Sequence, residues 1–327
     1  MTPDCSPTAS STTSAIRPGG VLLRAATPAD LVRTLPYLFG FVLRESVVVL
    51  AFHGRRVESA ARIDVSAVLE ANQLGEEAVL KDRLAVVGRA SRQLMVVVLD
   101  DDLDRAEQAV DITVRALGSV RQTIIVRRGR CRSGDGDWVD CEEGIPQADE
   151  AGLTVLPGRD DLVTQVAGPG RDASAMARWA SARQAVSGLT ESGMAERAAA
   201  LLKQGLGDPG GLTDDELMEV AALVREGSVR DHLWPLLTSI NAAQHVALWR
   251  AVVKLVPDAG APAVLGLMGM AAWVNGEGAL QVCCVERGLG IDAEHSLLRL
   301  VETINLMGVH PREWAKMRRS LMAESAG

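Results

Sequence analysis

The sequence predicts an α/β domain, with a mixed sheet and packed helices, followed by an all-α domain of helical hairpins. Short apolar runs rich in β-branched residues alternate with amphipathic helical patterns in the first half, which predicts a sheet covered by helices. In the second half helical patterns follow one another without a strand pattern between them. We expect a disordered tail at residues 1–19, the α/β domain at 20–156, a connector at 157–190 and the helical domain at 191–327.

The composition favours a protein with two buried cores. A chain of 327 residues, 47% of them hydrophobic, suits about two domains of typical size. The net charge of −8 argues against binding to nucleic acid or to an anionic membrane surface, which needs clustered positive charge. No apolar run reaches the roughly 18 residues that span a membrane, and the N-terminal residues lack the apolar stretch of a signal peptide. We therefore expect a soluble, cytoplasmic protein with no membrane association.

The first predicted helix begins at a capped site in the stretch "ATPADLVRTLPYLFGF". Thr27 supplies the N-cap oxygen, Pro28 takes the first helical position, and Asp30 faces the positive end of the helix dipole. We expect the helix to end near Leu35, because the residue before Pro36 disfavours the α region.

Four runs predict the main strands of the first domain. The runs "SVVVLAF" and "VESAARIDV" flank a short turn, which predicts a hairpin. The runs "QLMVVVL" and "RQTIIVRRGR" predict two further strands, and "LTVLPG" predicts a last short one. Helical patterns lie at residues 67–91 and 103–117, the second ending at Gly118 as its C-cap. This order of elements predicts a mixed sheet.

The second half carries repeated helix signals. Thr213 and Glu216 have the spacing of a capping box, and Asn241 is the predicted N-cap of "AAQHVALWRAVVKLV". Residues 261–308 predict three helices joined by short turns that contain glycine. Their shape resembles a tetratricopeptide unit without a second copy, so we expect an array of helical hairpins.

Acidic residues directly follow a predicted buried strand in "VVVLDDDLD". Asp100 and Asp102 resemble the Asp-x-Asp metal motif of some nucleotide-sugar transferases. Carboxylates at the carboxyl end of a strand lie where α/β proteins bind ligands, and two of them suit Mg²⁺ or Mn²⁺. The alternative, which the short motif favours, is that these acids cap the next helix.

A cluster of arginines follows the next strand. Arg127, Arg128 and Arg130 are candidates for binding phosphate, because the guanidinium fork matches phosphate oxygens. The favoured alternative is that their charge protects an exposed edge strand from pairing with another chain. Cys131 and Cys141 offer two thiols without the second pair that a structural zinc site needs, so free thiols are favoured there.

The order of several blocks resembles an uncharacterised family of high-GC Gram-positive bacteria, the domain-of-unknown-function family 4192. The resemblance rests on "ATPADLVRTLPYLFGF", "SVVVLAF", the acids after "VVVL", "EEGIP", "VRDHLW" and "AAWVNGEGALQVCCVERGLGIDAEHSLLRLVE". It implies no activity and no catalytic residue. Members of that family usually carry a Cys-Cys-Pro-Pro segment before Glu-Gly-x-Pro, whereas here Cys141 alone stands there. That departure argues against metal or thiol chemistry in this loop.

The sequence favours a non-enzymatic binding or regulatory protein that uses its helical domain to contact a protein partner and needs no cofactor. We find no catalytic constellation of residues, and helical-hairpin domains often bind peptides or helices. The alternative is a metal-dependent enzyme acting on a phosphorylated or nucleotide substrate. In that case Asp100 and Asp102 hold Mg²⁺ or Mn²⁺, and the arginines meet phosphate.

Overall fold

The computed structural model of the chain describes residues 14–16, 22–90, 93–142 and 144–324. It divides into two compact units, with the boundary after Gly158. Most of the predicted tail at residues 1–19 lies outside the described residues, and its described part, Ser14–Ile16, forms a strand. No helix within the described ranges is long and apolar enough to cross a membrane.

The first unit is built on one mixed sheet. Its eight described strands are β1 (Ser14–Ile16), β2 (Leu23–Ala25), β3 (Ser46–His53), β4 (Arg56–Asp64), β5 (Gln93–Leu99), β6 (Gln122–Arg127), β7 (Arg130–Ser133) and β8 (Val139–Asp140). Their spatial order is β2-β1-β4-β3-β5-β6-β7-β8. β3 is antiparallel to both β4 and β5, whereas β5 and β6 are parallel. The predicted mixed sheet and the predicted β3–β4 hairpin are confirmed.

The first unit has five described helices, of which the second, third and fourth complete the core on the centre of the sheet. They are α1 (Pro28–Phe39), α2 (Val65–Gln73), α3 (Glu77–Ala90), α4 (Leu103–Leu117) and α5 (Pro146–Glu150). Alternate residues of β3 and β5, such as Val49 and Val96, share one core cluster with Val68 of α2, Leu84 of α3 and Ala109 of α4. The run "VVVL" appears in both central strands because their two faces are buried.

Three boundaries differ from the predictions. α1 continues through Pro36 to Phe39. Burial of Leu35 stabilises the helical conformation of the residue before the proline, and this outweighs the backbone hydrogen bond that Pro36 cannot donate. The pattern at 67–91 is two helices, broken at Gly75 with its φ of 71°. The stretch "LTVLPG" forms a single bridge between Leu156 and Phe41 rather than a strand.

The second unit is helical throughout its described residues. Its α-helices are α6 (Arg159–Val166), α7 (Ala173–Val186), α8 (Glu191–Gly207), α9 (Asp214–Val224), α10 (Gly227–Leu233), α11 (Ala242–Leu255), α12 (Ala261–Asn275), α13 (Gly278–Ile291), α14 (Ser296–Leu306) and α15 (Trp314–Glu324). The predicted capping box at Thr213 is present. The three helices predicted within residues 261–308 are α12, α13 and α14, as expected.

α12 is the centre of the helical unit. Its residues from Ala261 to Val274 are all buried, and it packs against α9, α11, α13 and α14. Small residues allow these helices to approach one another closely. A Cβ atom on Gly266 would lie 2.7 Å from Leu297 of α14, and one on Gly288 of α13 would lie 2.4 Å from Leu298.

Candidate functional site

Two of the predicted groups meet at one edge of the sheet in the first unit. β5 and β6 are parallel and in register, with Leu99 opposite Val126, so their carboxyl ends lie side by side. The acidic run at residues 100–102 leaves β5 at this edge and leads directly into α4. The arginines at 127 and 128 leave β6 beside it. This is the edge at which open α/β sheets bind ligands.

Asp100 is buried, with 6% of its surface exposed, and its contacts are internal. Its Oδ1 accepts the backbone N–H of Asp102 at 2.9 Å. Its Oδ2 has no hydrogen bond and lies 3.6 Å from Nη1 of Arg105. Nη2 of the same guanidinium lies 3.5 Å from Oε2 of Glu45. The guanidinium of Arg105 therefore supplies the positive charge that the buried carboxylate needs.

Asp102 is the N-cap of α4. Its Oδ1 accepts the backbone N–H groups of Asp104 at 3.0 Å and Arg105 at 3.2 Å. This satisfies two of the N–H groups that a helix start leaves unpaired. One carboxylate oxygen of Asp100 and one of Asp102 therefore accept hydrogen bonds from backbone N–H groups. This is the helix-capping role that the sequence offered as the alternative to metal binding.

The acidic run also holds the start of the β6–β7 turn. Oδ1 of Asp101 accepts the backbone N–H of Arg128 at 2.9 Å, and the Asp101 carbonyl accepts Nε of Arg127 at 2.8 Å. Arg128 has a φ of 47°, a conformation uncommon outside glycine, in the turn between β6 and β7. Arg127 and Arg128 thus contact Asp101, which lies between the two predicted acids in sequence.

Arg130 is not part of this group. It begins β7, and its Nη2 donates to the carbonyl of Trp138 at 2.8 Å. The single strand predicted for "RQTIIVRRGR" is therefore a hairpin of β6 and β7. Because β6 lies between β5 and β7, the interpretation that these arginines protect an edge at β6 is wrong.

An open depression of about 450 Å³ lies against this edge. Its lining residues are Asp101, Asp102, Leu103, Asp104 and Arg127. Three carboxylates and one guanidinium give it an acidic character. Asp101 and Asp104 were not singled out from the sequence, although the continuous run "DDDLD" contains both. Within the described residues, no group of three or more His, Cys, Asp or Glu side chains is arranged to hold a metal ion.

The helical unit exposes a different kind of surface. We define the C-terminal patch as Leu236, Ile240 and Met322, whose exposed fractions are 43%, 90% and 47%. Nε1 of Trp314 donates to the Leu237 carbonyl at 2.9 Å, and Arg318 donates to the Pro235 carbonyl. Met322 follows these two α15 residues at a spacing of four, so all three lie on the face of α15 that borders residues 235–237. The patch therefore takes its apolar side chains from two segments, α15 and residues 236–240, of which α15 packs against Trp234–Leu236.

The segment that contributes Met322 to the C-terminal patch carries net positive charge. The segment of residues 311–324 contains four basic side chains (Arg312, Lys316, Arg318 and Arg319) and two acidic ones (Glu313 and Glu324). The chain as a whole carries a net charge of −8, so this segment is opposite in sign to the whole chain. An apolar surface with a basic border is thus a feature of this unit.

Comparison with known proteins gives one family. The family described as "Domain of unknown function (DUF4192)" matches residues 28–312 of the chain. No curated protein and no solved structure matches it.

Proposed function

The chain belongs to the DUF4192 family, a domain of unknown function, and from this premise we propose that it is a protein-binding module. In this proposal the C-terminal patch of the helical unit docks a segment of a partner that carries apolar and acidic side chains. The first unit acts as a scaffold, in which the carboxylates after β5 accept hydrogen bonds from backbone N–H groups. The binding role needs no cofactor.

The observation that carries the proposal is the exposure of Ile240. Its side chain is 90% exposed, although a fully buried isoleucine stabilises a protein by roughly 1.5–3 kcal/mol relative to an exposed one. Leu236, four residues earlier, and Met322 on α15 are also exposed, at 43% and 47%. Clustered apolar residues with a polar rim are typical of protein-binding sites.

The charge around the patch supports an acidic partner. Arg312, Lys316 and Arg319, in the segment that contributes Met322, are exposed. Opposite charges speed the encounter and set the register of docking, whereas the buried apolar side chains supply most of the affinity. A partner segment with apolar anchors and acidic flanks therefore matches the patch.

Affinity capture with the full chain tests this proposal. The Leu236→Ser, Ile240→Ser double variant should lose a captured protein that the wild type retains, and added salt should weaken the capture. Leu74→Ser is the matched control, because Leu74 is 65% exposed in the first unit. Equal capture by the wild type and the double variant would overturn the proposal. Analytical ultracentrifugation checks whether the retained protein is a second copy of the chain.

A second candidate function rests on the contacts between Arg127, Arg128 and Asp101 beside the open depression. It is a metal-dependent enzyme acting on a phosphorylated or nucleotide substrate. Asp100 and Asp102 would hold Mg²⁺ or Mn²⁺ there, and the arginines would meet phosphate. The ion pair of Asp100 with Arg105 weakens this candidate, because the guanidinium already neutralises that carboxylate.

A thermal-shift titration with Mg²⁺, Mn²⁺ and nucleotides distinguishes the two candidates. A ligand at about 100 times its dissociation constant stabilises a protein by roughly 2.7 kcal/mol. A metal-dependent nucleotide shift that Asp102→Asn abolishes, and that Asp135→Asn in the exposed loop after β7 leaves intact, would favour the enzyme. The absence of any shift would favour the binding module.

A further inference from the structure

Two buried thiols lie close together near the β8 edge of the sheet. β7 and β8 are antiparallel, with Cys131 opposite Val139. The backbone N–H of Cys141 donates to the Gly129 carbonyl at 2.8 Å, which continues the pairing just beyond β8. Because side chains alternate along a strand, Cys131 and Cys141 lie on the same face, diagonally across the ladder.

The surroundings of the two thiols make them different from each other. Sγ of Cys141 contacts the Gly129 carbonyl at 3.2 Å, and Arg33 donates to the carbonyl of Asp140, the residue before Cys141. Hydrogen bonding with Cys141 holds the pKa of the Cys131 thiol below its ordinary value, against burial, and the charge of Arg33 acts in the same direction. The same interaction raises the pKa of Cys141. Because Sγ of Cys141 donates its proton to the Gly129 carbonyl, we assign Cys131 the role of the thiolate, which is the nucleophilic form.

We propose that Cys131 and Cys141 form a redox-active dithiol, which a low-molecular-weight disulfide oxidises to an intramolecular disulfide. The Cys131 thiolate attacks one sulfur of the oxidant, which forms a mixed disulfide and releases one thiolate. Cys141 then loses its proton to solvent or to that thiolate and attacks Sγ of Cys131, which releases the second thiolate. The protein gives up two electrons and two protons, and the oxidant becomes two thiols.

The position of the pair allows the bond to close. Diagonal neighbours on a sheet lie about 7–8 Å apart, and a disulfide needs its Cα atoms within about 7 Å, so closure requires a shift of about 1 Å. β8 supplies this movement, because it has two residues and ends the described sheet with one neighbouring strand. The exposed side chains of Val139 and Asp140 confirm that little packs against it.

The other described cysteines provide an internal control. Cys283 and Cys284 are adjacent on α13 and buried. Burial raises the pKa of Cys283 to about 11 and raises the pKa of Cys284 further. Both therefore remain protonated thiols under conditions in which Cys131 reacts.

The test is oxidation of the full-length chain carrying Cys5→Ser, which leaves four thiols. After treatment with the disulfide of 2-mercaptoethanol and denaturation, we expect two alkylatable thiols instead of four. Trypsin should then release the dipeptide Cys131–Arg132 joined to the peptide that contains Cys141. Dithiothreitol should restore all four thiols. The Cys141→Ser variant should stop at a mixed disulfide on Cys131, and the Cys131→Ser variant should form no intramolecular bond.

Two results would overturn the proposal. Four thiols that remain alkylatable after oxidation would show that the pair does not close. Oxidation of Cys283 and Cys284 at the rate of the pair would show that no selective site exists.

Discussion

Acid sensitivity of the helical unit follows from His245 on α11. Its side chain is 3% exposed and lines a cavity of about 10 Å³, which is at the lower limit of the space that one water molecule needs. The other lining residues are Leu202, Leu233, Trp234, Leu237, Trp249, Leu267, Met270 and Trp314. Nε2 of His245 has no hydrogen-bond partner. Burial lowers the pKa of His245 from 6.5 to about 4, and hydrogen bonding to the Leu236 backbone opposes this only in part.

The lowered pKa sets both the sign and the size of the effect. The folded state keeps His245 neutral, whereas the unfolded chain binds a proton once the pH falls below 6.5. The stabilisation is therefore complete above pH 6.5 and is lost as the pH falls toward 4. For this shift, the free energy of unfolding should fall by about 2 kcal/mol between pH 7.5 and pH 5.

Urea unfolding followed by tryptophan fluorescence measures this loss at the two pH values. We expect His245→Gln to lose about 2 kcal/mol less than the wild type over this range, because it has no imidazole to protonate. His232→Gln is the control, since His232 on α10 is exposed, and it should behave as the wild type does. Burial also lowers the pKa of His295. His295 is present in the wild type and in both variants, so its contribution to the pH dependence is the same in each and does not affect the differences between them. Equal losses in wild type and His245→Gln would refute the reasoning.

Two further predictions concern local packing and capping. Asp102→Ala should lower the free energy of unfolding by about 1 kcal/mol, because two backbone N–H groups of α4 lose their acceptor, and urea denaturation should detect it. An unchanged stability would contradict the capping role. Gly288→Ala should destabilise by about 1–3 kcal/mol in a thermal melt, because its Cβ meets Leu298. Gly290 lies on the same helix, and open space surrounds the position of its added Cβ, so Gly290→Ala should stabilise the protein by about 0.5–1 kcal/mol. A Gly288→Ala variant more stable than Gly290→Ala would contradict the packing of α13 against Leu298.

Local signals in the sequence were enough to predict much of the fold. The N-cap at Thr27, the β3–β4 hairpin and the capping box at Thr213 depend on neighbouring residues, so the sequence pattern states them directly. The helix through Pro36 could not be predicted in this way. Its continuation depends on the burial of Leu35 by parts of the chain that are distant in sequence.

The candidate site was predictable as far as its residues are neighbours in sequence. The run after β5 placed Asp100 and Asp102 at the sheet edge, and the parallel pairing of β5 and β6 brought Arg127 there. The ion pair between Asp100 and Arg105 depends on the direction in which α4 leaves the sheet, and no short sequence motif specifies that direction.

Cys131 and Cys141 were named together from the sequence as possible metal ligands, with free thiols favoured, but their proximity was not predicted. Cys131 lies ten residues before Cys141, on another strand. An acidic loop separates the two in sequence, so only the pairing of β7 with β8 brings them together.

Photo-crosslinking from the C-terminal patch tests the central claim most directly. A photoreactive amino acid in place of Ile240 should join the chain to one partner through a segment that carries apolar and acidic side chains. The same group in place of Leu74, 65% exposed in the first unit, should not capture that partner. Loss of the crosslink at high salt would agree with the basic border of the patch. Capture of the same proteins from both positions, or of none from position 240, would contradict a binding role for this surface.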